Sequence, residues 1–143
     1  MKILLVEDSP GDIRLTLEAF NEQSPSTEIF VVKDGIEAMA FLRSGSNRPD
    51  LVLLDLNMPK MDGRQVLAAI KEDESLKSIP TVILTTSDAE ADIMKSYHLQ
   101  ANSYLCKPVE LSAFEFLVKG INDYWLRTSR LAPTPTPEFL AAI

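Results

Sequence analysis

The chain has 143 residues, 45% of them hydrophobic and 24% charged, which is the composition of an ordinary soluble domain with one core. Its formal net charge of −7 argues against a nucleic-acid-binding protein, which would carry a basic surface, and no apolar run is long enough to span a bilayer. A single cysteine precludes an internal disulfide, and the residues before the first strand are too few for a signal peptide, so we expect a cytoplasmic protein.

The first half of the chain alternates short apolar runs with helix-start signals. Strands are predicted at residues 3–6, 28–32 and 51–54. The helix after each strand is predicted to begin at Ser9, at Asp34 and at Asp62 with Gln65 three residues later. The run at 51–54 has four consecutive apolar residues, which indicates a strand buried on both faces of the sheet.

The second half repeats this alternation and then changes composition. Strands are predicted at residues 80–84 and 102–106. Ser87 with Glu90, and Ser112 with Glu115, predict capping boxes for the fourth and fifth helices, the fifth reaching about Arg127. Residues 132–137 are rich in proline, which predicts an extended or disordered tail.

Five strands alternating with five helices predict an α/β fold: a doubly wound, five-stranded parallel sheet with helices on both faces. We expect residues 1–127 to form this domain and residues 128–143 to be a proline-rich C-terminal extension. The extension is too short for an output domain, so output by protein–protein contact is expected.

Polar residues follow four of the five predicted strands. They are Glu7 and Asp8 after the first strand, Asp55 after the third, Thr85 after the fourth and Lys107 after the fifth. All parallel strands end at one edge of the sheet, and neighbouring strands are ~4.8 Å apart, so these side chains are expected to converge. Carboxylates this close repel one another unless a cation compensates, and oxygen ligands suit Mg2+.

A carboxylate beside a metal ion, an ammonium and a hydroxyl fits phosphoryl transfer, because the carboxylate attacks phosphorus while the cations neutralise the phosphoryl oxygens. The single histidine, His98, lies among polar residues late in the fourth predicted helix and is not positioned for acid–base catalysis. A phosphorylated Asp55 would therefore be a stored signal, and the chain a phosphoacceptor protein with only Mg2+-dependent self-phosphorylation and slow autodephosphorylation.

These strand-end motifs resemble the receiver domain of two-component response regulators, the flavodoxin-like, CheY-like fold. The matching segments are residues 3–8, 53–59 with 62–63, 79–85 and 104–108, and the resemblance covers residues 2 to about 124. It implies that Asp55 accepts a phosphoryl group from the phosphohistidine of a sensor histidine kinase. It also implies that Asp8, Asp55 and the Asn57 backbone carbonyl bind Mg2+, with Glu7 assisting through water. By the same matching, Thr85 and Tyr104 are the switch pair and Lys107 contacts the phosphoryl group.

Finer details are similar to the single-domain regulators that partner phytochrome-type histidine kinases. These details are residues 7–15, 84–87 and 123–126. Two features depart from the usual receiver pattern: Thr86 stands where receivers usually carry Ala or Gly, and residues 101–103 replace a common Gly-Ala-Asp. The first departure implies narrower access to Asp55 and an altered phosphoryl lifetime.

The last predicted helix carries more apolar surface than packing on a sheet requires. Its stripe consists of Phe114, Leu117, Val118, Ile121, Tyr124 and Trp125. Either the tail folds back over this surface, or two chains share it, and we favour a homodimer through the last helix and C-terminal region.

Other functions remain open at this point. A phosphohydrolase of the haloacid-dehalogenase class would need Asp-x-Asp after the first strand, where this chain has Glu7-Asp8-Ser9. A flavodoxin-type binding protein would need a phosphate loop rich in Gly, Ser and Thr there. A pseudo-receiver that serves only as a dock, and onward transfer to a phosphotransfer protein, are further possibilities.

Overall fold

Five parallel strands form one sheet in the order β2-β1-β3-β4-β5 in the computed structural model, which describes residues 1–143. The strands are β1 (Lys2–Val6), β2 (Glu28–Val32), β3 (Leu51–Leu54), β4 (Thr81–Thr85) and β5 (Ser103–Cys106). The predicted parallel sheet is confirmed, and each predicted strand boundary lies within one residue of the observed one. The order reverses beside β1, so the carboxyl ends of β1 and β3 flank the crevice where open α/β sheets bind ligands.

The sheet is buried on both faces, which explains the continuous apolar strands. Ile3 and Leu5 of β1 contribute to one core cluster, whereas Leu4 and Val6 contribute to the other. In β3 the same alternation operates, and all four of its residues are inaccessible to solvent. The whole strand region that leads to Asp55 is therefore fixed by packing from both sides.

Five helices alternate with the strands as predicted. They are α1 (Pro10–Gln23), α2 (Gly35–Ser44), α3 (Gly63–Glu72), α4 (Glu90–His98) and α5 (Leu111–Ile121). α1 and α5 cover one face, where Phe20 and Phe114 are buried together, and α2 and α3 cover the other, where Leu42 and Leu67 are buried. None of the helices has the length and apolar character that crossing a membrane would require.

The predicted helix starts were right for the first three helices and wrong for the last two. Asp34 caps α2, and Asp62 and Gln65 form the complete capping box of α3. The predicted boxes at Ser87 and Ser112 do not form, since α4 follows Ala89 and α5 follows Glu110, each without a side-chain cap. The Ser87 hydroxyl instead hydrogen-bonds Asp92 at 2.6 Å, and Ser112 lies inside the first turn of α5.

The C-terminal region contains one helix that was not predicted. α5 continues as a π-helical segment (Asn122–Thr128), so the prediction that the last helix reaches about Arg127 is confirmed. The expectation of a tail without regular structure was wrong, because a sixth helix, α6 (Pro137–Ala142), follows the proline-rich stretch. Thr136 accepts a hydrogen bond from the Phe139 amide, and Pro137 opens the helix, a start signal that the proline content obscured. Residues 132–136 border one cavity together with Glu74, Lys77 and Ser78 of the segment after α3.

Candidate functional site

Glu7 and Asp55 lie side by side at the carboxyl edge of the sheet. The strand ladder continues one residue past each strand: the Asp55 amide donates to the Val6 carbonyl at 3.1 Å, and the Glu7 amide donates to the Val32 carbonyl at 3.0 Å. Both residues are buried, Glu7 at 2% and Asp55 at 8% exposure. Backbone pairing therefore fixes where the two carboxylates emerge, as the strand-end pattern predicted.

Lys107 lies at the centre of a carboxylate cluster. Its ammonium Nζ contacts Glu7 Oε1, Asp12 Oδ2 at 3.0 Å and Asp55 Oδ2 at 3.3 Å. The Lys107 amide donates to the Thr85 carbonyl at 2.7 Å, which ties the residue to the end of β4. The Lys107 side chain is only 4% exposed, so its charge acts on these carboxylates with little screening by solvent.

The cluster has more negative than positive charge. Glu7, Asp8, Asp12 and Asp55 face one ammonium, which leaves three negative charges uncompensated if all four carboxylates ionise. Burial raises the pKa of Glu7 to about 7, although its contacts with Lys107 lower it. Burial opposes the charge of Lys107, but its hydrogen bonds with Glu7 and Asp12 outweigh this effect and raise its pKa above the ordinary value. A further cation at this edge would remove the repulsion.

The residues predicted to bind a metal are brought together. Carboxylate oxygens of Glu7, Asp8 and Asp55 all lie within 4.8 Å of one another. Glu7 Oε2 accepts hydrogen bonds from the amides of Asp8 at 3.0 Å and Ser9 at 3.2 Å, which orient the carboxylate. The Asn57 amide approaches Asp55 Oδ1 at 3.5 Å, so this residue also borders the cluster. An all-oxygen set of this kind fits a hard divalent cation.

Thr85 is the last residue of β4, whereas Tyr104 is the second residue of β5. Thr85 is fully buried, and its Oγ1 has no hydrogen-bond partner. A buried hydroxyl without a partner costs roughly 1–3 kcal/mol. The Thr85 hydroxyl at this edge is therefore consistent with a donor for an acceptor atom that binds at the site. The Tyr104 hydroxyl donates to the Ser87 carbonyl at 2.9 Å, and burial is the main reason why its pKa is raised.

Two features of the site were missed by the sequence-based reasoning. Asp12 was not among the predicted site residues, because an acid in the first turn is favourable at the start of any helix, yet its carboxylate contacts Lys107. The sequence did offer a signal for this role, because Asp12 lies one turn after Glu7-Asp8 on a helix that begins at the same edge of the sheet. The second feature is a chain of contacts in which Arg64 pairs with Asp92 at 2.6 Å and Asp92 bonds Ser87. No local pattern indicates it, because Arg64 and Asp92 are 28 residues apart.

Known proteins share both the sequence and the fold. Residues 3–122 match the family described as the response regulator receiver domain. Response regulator Rcp1 of Synechocystis sp. is 48% identical, covering 90% of this chain and 91% of its own length.

Solved structures of two similar regulators have the same fold. The crystal structure of the phosphorylated cyanobacterial phytochrome response regulator RcpA is 50% identical with a TM-score of 0.88, covering 92% of this chain and 98% of that one. The Mn2+-bound form of Rcp1 is 47% identical with a TM-score of 0.86, covering 92% and 99%. Because the family match spans most of the chain and the fold agrees with that of these regulators, the protein belongs to the receiver-domain response regulators of two-component signalling.

Proposed function

We propose that Asp55 accepts a phosphoryl group from the phosphohistidine of a sensor histidine kinase and that the phosphorylated domain signals by protein–protein contact. The observation that carries this proposal is the Asp55 carboxylate, which lies 3.3 Å from the Lys107 ammonium beside the oxygen cluster of Glu7 and Asp8. Such a nucleophile flanked by cations is what phosphoryl transfer to a carboxylate requires.

The surrounding residues have separate roles in this proposal. Asp8, Asp55 and the Asn57 backbone carbonyl would hold Mg2+, with Glu7 assisting through water, and the ion would neutralise the phosphoryl oxygens. A carboxylate oxygen of Asp55 forms the bond to phosphorus while the bond from phosphorus to the donor imidazole breaks, and the imidazole leaves with a proton. Lys107 contacts one phosphoryl oxygen. The unpartnered Thr85 hydroxyl donates to another, and Tyr104 then follows Thr85 inward.

The test is incubation with acetyl phosphate and Mg2+, followed by intact-protein mass spectrometry. The parent protein and Asp88→Asn, a change at an exposed carboxylate near the site, should gain one phosphoryl group per chain. Asp55→Asn should gain none, and removal of Mg2+ by a chelator should prevent the reaction in all three proteins. Equal incorporation by Asp55→Asn and the parent would overturn the assignment.

The chemistry beyond phosphoryl acceptance is limited to slow hydrolysis of the phosphorylated Asp55. Thr86 is exposed next to the buried Thr85. Its side chain is larger than the Ala or Gly usual in receivers, and in this proposal it narrows the approach of water to Asp55. Thr86→Ala should therefore shorten the phosphoryl lifetime, measured as the decay of the phosphorylated mass after the donor is removed. An unchanged or longer lifetime would contradict this role.

A phytochrome-type histidine kinase is the proposed partner. The support is the similarity to Rcp1 and to RcpA, the second of which is described as a phytochrome response regulator. A purified phosphorylated phytochrome kinase should transfer phosphate to this chain faster than a kinase of another sensor class at equal concentration. Equal transfer rates from the two kinases would contradict the proposal that a phytochrome-type kinase is the partner. Onward transfer to a downstream phosphotransfer protein can be followed in the same assay.

A second copy of the chain is the proposed partner of the α5 face. Phe116 is 78% exposed and Tyr124 55%, and together with Leu117 and Trp125 they border an apolar groove beside β5. Phe116→Asp should shift the protein to monomer in light scattering across a concentration series. Ile36→Asp, which changes an exposed residue of α2 on another surface, should not. A parent protein that is monomeric at every concentration, phosphorylated or not, would contradict the dimer.

A further inference from the structure

The segment that carries Asp55 is held in place by two glycines. We call residues 55–63 the phosphoacceptor loop. At its far end, a Cβ on Gly63 would lie 2.1 Å from the Asp55 carbonyl oxygen, and the Gly63 amide donates to the Leu56 carbonyl at 2.9 Å. On the neighbouring α2, a Cβ on Gly35 would lie 2.1 Å from the Met61 carbonyl oxygen. The loop therefore closes on itself and also presses against the first residue of α2.

The requirement for glycine at position 35 is steric. Gly35 does not have a positive φ, so its backbone conformation is open to any residue. The contact to Met61 includes backbone atoms, since the Met61 carbonyl carbon lies 2.8 Å from the point that the Cβ of an alanine would occupy. Backbone cannot swing aside as a flexible side chain can. An alanine at position 35 must therefore displace the loop or the start of α2.

An ion pair joins the same two segments. Lys60 Nζ lies 3.5 Å from Asp34 Oδ2, and the Asp34 side chain is 8% exposed whereas that of Lys60 is 66% exposed. The other oxygen of Asp34 accepts the Glu37 amide at 2.9 Å and so caps α2. Lys60 has a φ of 63°, a left-handed conformation that is uncommon for residues other than glycine. The buried carboxylate thus pairs with a residue held in a strained turn of the loop.

We propose that Asp34 and Gly35 are positioning residues for phosphoryl acceptance, because they hold the phosphoacceptor loop through Lys60 and Met61. Neither residue touches the carboxylate cluster. They act at the corner after β2, a strand end that supplies no side chain to the cluster, and the loop they support begins at Asp55 and includes Asn57. The inference rests on the proposed role of Asp55 and adds a role for this corner, which holds the loop against the start of α2.

The first experiment compares Gly35→Ala with Gly120→Ala, a helical position where an added Cβ meets nothing within 4 Å. Two quantities are measured: the Mg2+ concentration that gives half of the maximal phosphorylation rate with acetyl phosphate, and the exchange rate of the Gly63 amide in metal-free protein. Gly35→Ala should raise the first roughly tenfold, since a displacement of about 1 Å in a reacting site can cost up to ~100-fold. It should also accelerate Gly63 exchange, whereas Gly120→Ala should change neither.

The second experiment isolates the ion pair. Asp34→Asn removes the charge but leaves a side chain that caps helices as well as Asp does. Lys60→Asn removes the charge and introduces a residue that tolerates a positive φ. Each should raise the required Mg2+ concentration by about threefold, in the range expected of a partly exposed pair. The double variant should show no more than the single effect, since both changes remove one interaction.

The outcomes separate this inference from the proposed function. A parent protein that takes up no phosphate overturns the role of Asp55. A parent that is phosphorylated while Gly35→Ala, folded by circular dichroism, matches it in Mg2+ requirement and Gly63 exchange overturns the positioning role. If Gly35→Ala does not fold, the ion-pair variants decide, and additive effects or none in the double variant would overturn the proposal.

Discussion

The two helices that border the site differ in how firmly they are held. α3, next to Asp55, buries Val66, Leu67 and Ile70 completely and begins with a full capping box. α4, next to Tyr104, buries only Ser96 and begins without a side-chain cap. Its Met94 is 72% exposed. We call β1, β3 and α3 the anchored half of the site, and β5 and α4, which bury less of their surface, the loose half.

This difference assigns the two halves to different tasks. In the proposed function, phosphoryl acceptance requires a nucleophile and metal ligands in fixed positions, and the anchored half holds the residues proposed for both roles. A signalling response requires an element that can change its arrangement at low cost, and elements with few buried apolar contacts have the lowest local stability. The Arg64–Asp92 pair and the hydrogen bond that the Ser87 hydroxyl donates to Asp92 connect the halves, and the Ser87 carbonyl also accepts a hydrogen bond from the Tyr104 hydroxyl.

The largest expected difference concerns the apolar contacts of the two helices. Leu67→Ala in α3 should lower the free energy of unfolding by roughly 2–5 kcal/mol, because it leaves a cavity in a packed core. Met94→Ala in α4 should change it by less than about 0.5 kcal/mol, since this side chain is already in solvent. Urea unfolding measures both, and comparable losses would show that α4 is as firmly packed as α3.

Metal binding should stabilise the anchored half in a pH-dependent way. Burial raises the pKa of Glu7 from 4.5 to about 7. Protonated Glu7 therefore contributes to the stability of the metal-free fold; this contribution is complete below pH 4.5 and is lost as the pH rises through about 7. Mg2+ requires ionised carboxylates, so its stabilisation should grow over the same interval, to about 2.7 kcal/mol at a hundred times Kd.

Thermal unfolding with and without Mg2+ at pH 4.5 and pH 7 measures this effect. Glu7→Gln serves as the control, because it should remove the part of the pH dependence of the metal-free protein that Glu7 contributes. A Mg2+ effect of the same size at both pH values would contradict the role of this carboxylate.

Changes at the two helix caps should shift the free energy of unfolding by about 1 kcal/mol, downward for α3 and upward for α4. Asp62→Ala removes the capping box of α3 and should destabilise the protein by roughly 1 kcal/mol. Ala89→Asp supplies α4 with the cap it lacks, at a residue whose extended backbone suits a cap, and should stabilise the protein by a similar amount. Chemical denaturation of both variants is the measurement, and a destabilised Ala89→Asp would mean that α4 begins elsewhere.

The buried hydroxyl of Ser96 should slightly destabilise α4 in the loose half. Its Oγ is buried without a partner, so Ser96→Ala should stabilise the protein by about 0.5–1 kcal/mol. Ser112→Ala, at an exposed helical position, controls for helix propensity and should have a smaller effect. A destabilised Ser96→Ala would indicate that the hydroxyl makes a hydrogen bond.

The smallest expected effect is the loss of the link between the halves. The hydrogen bond from Ser87 and the Arg64 guanidinium hold the pKa of Asp92 below its usual range. Asp92→Asn weakens both contacts, and global stability should hardly change because the pair is partly exposed to solvent. Amide exchange in residues 87–92 should become faster while exchange in α3 stays the same. Unchanged exchange around Ser87 would show that the link does not restrain this segment.

Local patterns predicted much of this structure, and their failures have physical causes. The caps at Asp34 and Asp62 were predicted because each lies within three residues of its partner. Helical spacing predicts that Ile36, Ala40 and Phe41 of α2 face the core. This is wrong for Ile36, which is 58% exposed, whereas Met39 and Leu42 are buried. This helix has apolar residues around most of its circumference, so helical spacing alone does not select the buried side.

The sequence by itself determined the order of strands and helices, the parallel sheet, and the convergence of Glu7, Asp55 and Lys107, since period, caps and strand direction are local properties. Only the tertiary structure decided that Asp12 joins the cluster, that Arg64 reaches Asp92, and that Gly35 packs closely against Met61 of the loop after β3. These contacts join segments that are distant along the chain, and their distances depend on how the helices pack on the sheet. The same packing buries one face of α3 completely and leaves α4 largely exposed.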